Sequence, residues 1–220
     1  MMTFTERLTE YAPAIVSGLI TTAAISAIAI ALGFMVAVCL YILRTQFPRA
    51  GAKPVQVYVS FFRGTPLLVQ LLILFYVPAA LGLDINPWLA AVTVLGLNSA
   101  AFQSEILRAG FAAIPAAQIE AARVFGLNRQ QILWHIQMPQ VVRLTLPSLT
   151  SESIDIIKGS AVISVLAIAD LMRVGKQLVA VSYRPLEVYL SIAFAYLLLT
   201  TLVSWAALQL TRHRQVDKQP

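Results

Sequence analysis

Three groups of residues in this 220-residue chain have types and spacings suited to chemistry. The first is Glu152, Asp155 and Lys158, set in an otherwise apolar stretch. At i, i+3 and i+7, Glu152, Asp155 and Gly159 fall on one helical face, and Asp155 and Lys158 are spaced to pair. The second is Arg63-Gly64-Thr65-Pro66, where a proline deletes a helix hydrogen bond and frees a carbonyl. It reads first as a tolerated kink with Arg63 snorkelling or serving the path, and second as a local unwinding that shapes the path or a gate. The third is the polar stretch from Glu120 to Pro139. None of the three sets a nucleophile beside a base. The single cysteine, Cys39, and the two distant histidines, His135 and His213, provide neither a disulfide nor a metal cluster. What remains is recognition. Opposite charges facing a cavity could hold a zwitterion, or the same charges could pin one helix against a neighbour.

The elements that must carry these groups are apolar helices. Of the residues, 59% are hydrophobic and 12% charged, with a mean hydropathy of +0.78. A soluble domain is about 25% charged. Residues 11–43, 64–83, 85–104 and 188–211 contain no charged side chain. Each run reaches the roughly 20 residues a spanning helix needs and is about twice the length of a barrel strand. These runs place spans at about 13–43, 55–80, 87–107, 149–171 and 186–210, in one membrane domain covering 1–220. Pro13 suits the start of the first. A span beginning near Leu149 puts Lys158 about 13–15 Å deep.

The net charge of +6 is read as basic loops facing the cytoplasm, not as a nucleic-acid face. Lys and Arg number three in the loop after the first span, four between Arg108 and Arg143, and three in the C-terminal tail. The N-terminal tail has one and the turn near Asp84 none. This places the N-terminus outside and the C-terminus in the cytoplasm, with Arg173, Lys176 and Arg184 as outer-side exceptions. The N-terminal flank, carrying Glu6, Arg7 and Glu10, does not read as a cleaved signal.

The cytoplasmic segment of about 108–147 is too long to be structureless. Its pattern predicts two short helices. Pro115 sits at the start of the first, Gly126 at its C′ position, and Asn128 with Gln131 forms a capping box for the second. Ile132, Leu133 and Ile136 make the apolar stripe of that second helix, and Pro139 ends it. The stripe could pack on the chain's own helix ends or fit a groove on a partner. Asn98, Gln103 and Glu105 read as hydrogen-bonding partners between helices.

Glu120-Ala121-Ala122, Gly126 and Ile136-Gln137-Met138-Pro139 resemble the EAA signature of ABC importer permeases, with Met138 in place of the usual leucine. Phe61–Gln70, Leu97–Gly110, Thr145–Leu149 and Tyr183–Leu190 extend the resemblance to the polar amino acid (histidine, glutamine, arginine) permeases. The resemblance implies an all-α integral membrane fold of five transmembrane helices with type I importer architecture. It further implies a coupling helix that docks on a separate ATPase dimer, a second permease subunit, identical or paralogous, and an extracytoplasmic amino-acid-binding protein. Glu120, Ala121, Ala122, Gly126, Ile136 and Pro139 would serve the docking. Arg63, Thr65, Glu152, Asp155 and Lys158 would line the substrate path. Ser151 and Gly159 depart from the family, which commonly has Asn and Asp there. The acid at 155 suits a cationic amino acid. The chain has no Walker lysine motif, so ATP and Mg would be used by the partner. The expected role is a permease subunit in the bacterial cytoplasmic membrane, not an enzyme. The alternative is an ATP-independent secondary transporter or channel, which commonly carries internal repeats.

Overall fold

The computed structural model describes residues 4–216, with the side chains of 9–209. The side chains of Glu6, Arg7, Arg212, His213 and Arg214, and the whole of Lys218, lie outside these. Every regular element among the described residues is helical.

Helix α1 (Phe4–Gln46) is 43 residues long, about 65 Å, or twice the hydrocarbon core. Pro13 is therefore inside the helix and not at its start; one lost hydrogen bond near a helix end is tolerated when good helix formers flank it. The expected second span is two helices, α2 (Ala52–Gly64) and α3 (Leu67–Ala80), bent by 107°. Helix α4 (Pro87–Ala112) follows, capped by the Asn86 side chain accepting from Trp88 N–H. The short α5 (Ala116–Val124) comes next, with Pro115 as its N-cap.

The chain then runs without interruption through one helical turn, α6 (Arg129–Gln131), a π-helical segment (Ile132–Gln137) and α7 (Met138–Gly159). Pro139 thus begins a helix where the sequence predicts an end. A proline in a helix lacks an N–H and its ring crowds the carbonyl one turn back. The wider π-turn just before it relieves this, and Met138 N–H bonds to Leu133 five residues back. Pro147 also lies inside α7, so neither 147 nor 149 marks a boundary. Lys158 is next to last in α7, about 30 Å along from Met138, so the helix that carries it does not start at Leu149. A 3₁₀ segment (Ser160–Leu166), α8 (Leu171–Ser182) and α9 (Pro185–Val216) complete the chain. The helix carrying the first part of the expected fourth span, 149–171, thus starts earlier and gives way to 3₁₀ turns within that range.

The centre of the fold is α1 packed on α4. Ala29, Gly33 and Ala37 repeat every four residues on α1 and are buried; Ala29 meets Gly96 of α4, and Gly33 meets Gly96 and Ser99. A Cβ at Gly33 would sit 3.0 Å from the Gly96 carbonyl oxygen, so the backbones approach closely, as small residues allow between membrane helices. Around them Ile25, Leu71, Val94, Leu95 and Ile163 are buried together.

The N-terminal half of α1 is covered by α8 and α9 through Tyr11, Leu171, Val188 and Ile192. Asp170 caps α8, accepting from the Met172 and Arg173 N–H groups, and Leu171 N–H donates to Thr22 Oγ1 of α1 at 3.0 Å. The three basic residues that broke the charge pattern are all engaged here. Arg173 donates to the Ser164 carbonyl, Lys176 to Ser164 Oγ, and Arg184 pairs with Glu187 at 2.9 Å. The opposite end of α1 lies beside α5 and the π-segment.

Candidate functional site

Two sites are built on this frame, one at each of the polar stretches. At the first, α5 ends in a Schellman turn: Gly126 N–H donates to the Arg123 carbonyl (2.9 Å) and Leu127 N–H to the Ala122 carbonyl (3.1 Å). Gly126 has φ +80°, the left-handed conformation in which a Cβ is costly. Asn128 then caps the next helix. Its Oδ1 accepts from Gln131 N–H (2.9 Å), and Gln131 Oε1 accepts from Asn128 N–H (2.8 Å), the reciprocal pair its spacing predicts.

Glu120 and Ala121 are exposed, whereas Ala122 is buried against the chain. Val124 and Phe125, next to the turn, are 87% and 84% exposed. Apolar side chains this bare, on a short helix outside the apolar spans, leave area for a partner to cover. Ile136 and Pro139 lie apart from this tip, Ile136 in the π-segment and Pro139 in the first turn of α7. Gln140 ties the two parts together, donating to Gln118 Oε1 of α5 and to the Ile136 carbonyl, both at 2.9 Å.

The second site surrounds the break between α2 and α3. Thr65 and Pro66 are extended (ψ 146° and 137°), as a residue before proline prefers. Pro66 has no N–H for the Phe62 carbonyl. Gln70 Nε2 (2.9 Å) and Asn98 Nδ2 (3.2 Å) both donate to it instead. Gln70 also donates to the Thr65 carbonyl (3.0 Å) and Thr65 Oγ1 (2.8 Å), and its Oε1 accepts from Asn98 (3.0 Å). The break is therefore an unwound segment held by side chains, more than a kink. Gln70, not singled out from the sequence, is its main support; a buried amide four residues after a proline was the available signal.

Beside it, Gln103 donates to Ser99 Oγ (2.8 Å) and the Ile30 carbonyl (3.3 Å), and Ser99 Oγ donates to Glu152 Oε1 (2.9 Å). This chain joins α1, α4 and α7. Glu105 pairs with Arg44 and Arg108, each at 2.7 Å. Asn98, Gln103 and Glu105 thus act between helices, as read from sequence.

Arg63 lies with its guanidinium 5.3 Å from the centre of the Phe102 ring, a cation–π contact. It lines a cavity of about 490 Å³ with Glu105, Arg108, Thr145 and Ser148. Glu152 and Asp155 do not share a surface, contrary to the helical-face reading. Glu152 is 8% exposed and turned to α4, whereas the Asp155–Lys158 pair (2.8 Å) is outward, with side chains 66% and 58% exposed. Three residues from Glu152, a helix has turned about 300°, enough to separate a buried edge from an open one.

Residues 29–215 match the model of the family described as binding-protein-dependent transport system inner membrane component. The chain is 32% identical to the octopine transport system permease protein OccM of Rhizobium radiobacter, over 94% of this chain and 91% of that one. It is 36% identical to the putative glutamine transport system permease protein GlnP of Rickettsia conorii (88% and 89% covered) and 34% to the arginine transport system permease protein ArtQ of Bacillus subtilis (88% and 89%). A solved amino acid ABC transporter with histidines superposes with a TM-score of 0.89 at 32% identity, covering 97% of this chain and 99% of that one. The MetNI methionine ABC transporter, at 23% identity and a TM-score of 0.75 (97% and 99% covered), shares the fold. A match over most of the chain, with relatives above 30% identity along nearly their whole length, makes this protein a member of the binding-protein-dependent transport system inner membrane components.

Proposed function

We propose that this chain is the permease subunit of an ATP-driven importer that carries a polar amino acid across the bacterial cytoplasmic membrane. The observation that carries the reading is the tip of α5. A helix bearing Glu120 and Ala121 ends in a fixed left-handed turn and presents Val124 and Phe125 bare, at the end of the molecule away from α8 and α9. That is the shape of a helix laid into a groove on another protein. Its occupant is the ATPase dimer, with Glu120, Ala121 and Gly126 at the contact and Ala122, Ile136 and Pro139 holding α5 to α7. The ATPase uses ATP and Mg; this chain binds neither.

The same placement supports the membrane arrangement. The α5 end is cytoplasmic, the α8 end faces outward toward an extracytoplasmic amino-acid-binding protein, and five spans set the N-terminus outside and the C-terminus inside. A second permease subunit, identical or paralogous, covers the outward Asp155–Lys158 pair. Charged side chains this open within a spanning helix belong against a partner or a water-filled path and not against lipid. Arg63, Thr65, Asp155 and Lys158 line the path, and Glu152 positions α7 from behind. ATP-driven closure of the ATPases moves α5 and rocks the helices joined to it.

The test is reconstitution of the complex with its ATPase. Amino-acid uptake that requires ATP, with hydrolysis stimulated by the loaded binding protein, is expected. Uptake driven by an ion gradient alone, with no ATPase retained, would overturn the reading in favour of a secondary transporter or channel.

A further inference from the structure

The second half of α1, the end of α4 and the first half of α7 enclose an open groove of about 530 Å³. Its walls are apolar, with Phe34 and Val38 from α1, Leu107 from α4, and Val142, Leu146 and Leu149 from α7. Trp134, 63% exposed, stands on its rim. Tyr41, Ile42, Phe111 and Leu133 also line a second recess of about 410 Å³, so the two make one trough. Tyr41 and Phe111 stack at the junction, 4.6 Å between centroids. The character changes across it: the second recess presents Thr45, Gln46, Gln137, Arg123 and Arg129.

The length of the trough fits one leaflet. From Phe34 to Gln46 on α1 is about 18 Å, and from Met138 to Leu149 on α7 about 16 Å, against about 15 Å for half a hydrocarbon core. The charge is uncommitted. Arg44, Arg108, Lys158 and Arg184 each hold a carboxylate, whereas among the described residues Arg123 and Arg129 form no ion pair. A soluble partner has no access to an apolar groove at membrane depth. Among the described residues at this end, Glu105 is already shared by two arginines, so a second copy of this chain would bring the cup negative charge only through the exposed Glu120.

We propose that the trough binds one anionic phospholipid, its acyl chain in the groove between α1 and α7 and its phosphate between Arg123 and Arg129. Guanidinium pairs match phosphate oxygens, and basic pockets between helices on the cytoplasmic side suit such headgroups. Trp134 lies at the interfacial level, where tryptophan is favoured. The two arginines flank the Gly126 turn, Arg123 in α5 and Arg129 in α6, so the headgroup bridges that turn and stiffens the tip. The effect on coupling rests on the reading of α5 above; the binding itself does not.

The assembled complex, carrying Trp88→Phe and Trp205→Phe so that Trp134 is its reporter in this chain, is placed in bilayers containing a small fraction of lipid with brominated acyl chains. Brominated phosphatidylglycerol is expected to quench Trp134 well beyond brominated phosphatidylcholine at equal fraction. Arg123→Gln with Arg129→Gln should reduce that preference about thirtyfold, at the strength of two interfacial arginines. Val142→Phe, which narrows the groove and leaves both arginines, should lower quenching by either lipid, and excess inorganic phosphate should leave quenching by phosphatidylglycerol in place. Equal quenching by the two lipids overturns the proposal. So does displacement by free phosphate, or a Trp134 shielded from both lipids, which would mean that protein fills the groove. ATP-dependent uptake is measured separately, so failure here leaves the transport reading untouched.

Discussion

Replacing Gln70 by Leu tests whether the unwound segment at Thr65-Pro66 is held by side chains. Gln70 is 4% exposed and engages four partners: the Phe62 and Thr65 carbonyls, Thr65 Oγ1 and Asn98. Leucine keeps the bulk and removes every one of these bonds. Hydrogen bonds between membrane helices average about 0.6 kcal/mol. A buried carbonyl left without a donor costs about 1–3 kcal/mol. Phe62 would keep Asn98, whereas Thr65 would lose the donor to its carbonyl. The expected cost of Gln70→Leu is therefore about 2–4 kcal/mol. Asn98→Leu, which leaves Gln70 on the Phe62 carbonyl, should cost about 1–2 kcal/mol on the same grounds. Because the two side chains share a bond and an acceptor, the double variant should fall short of the sum by about 1 kcal/mol. Graded SDS unfolding of the purified chain, followed by circular dichroism, measures all three. A Gln70→Leu cost no larger than that of Thr65→Val, or additivity of the two leucine variants within about 0.3 kcal/mol, would refute the account.

Other outcomes follow from the geometry. Gly126→Ala places a Cβ at φ +80° with nothing within 4 Å, so its cost is conformational, about 1–2 kcal/mol. It should lower ATPase stimulation by loaded binding protein, and Gly126→Asn should recover much of the loss, since asparagine tolerates that region. Gly33→Val drives a side chain against the Gly96 carbonyl and should destabilise the α1–α4 pair by about 1–3 kcal/mol in the same SDS titration. Asp155→Asn removes the outward carboxylate beside Lys158 and should weaken arginine or lysine uptake more than glutamine uptake; equal losses on all three would remove Asp155 from the path.

Local signals were readable in the sequence wherever the physics is local. The left-handed glycine at 126, the Asn128–Gln131 capping pair and the Asp155–Lys158 pair each depend on residues within four positions of one another, and each has the expected geometry. The bonding roles of Asn98, Gln103 and Glu105 were legible because polar groups in an apolar helix need partners. What required the fold was which partner each one meets. Glu152 is turned inward by Ser99, 53 residues away in sequence, and Gln70 reaches the break only because α3 folds back on α2. Pro139 reads as a stop in the sequence because no composition rule marks the π-turn that precedes it and lets a new helix begin there. Charge-free runs coincide with helices long and apolar enough to cross in α1 and α9, whereas α7 has no such run and its helix extends back through Arg143 and Pro147.

The contact of α1 with α4 also bears on how the chain enters the bilayer. Among the described residues, only Thr9–Gln46 and Pro185–Gln209 are long and apolar enough to cross alone; α4 is not. Its Asn98, Gln103 and Glu105 would meet hydrocarbon if it were inserted by itself. The groups that answer them from the preceding chain, Ile30 and Arg44 of α1 with Phe62 and Gln70 around the break, have all been synthesised before α4 emerges. An α1 still beside the insertion site would offer α4 these partners on arrival, at the close-packed surface formed by Ala29 and Gly33.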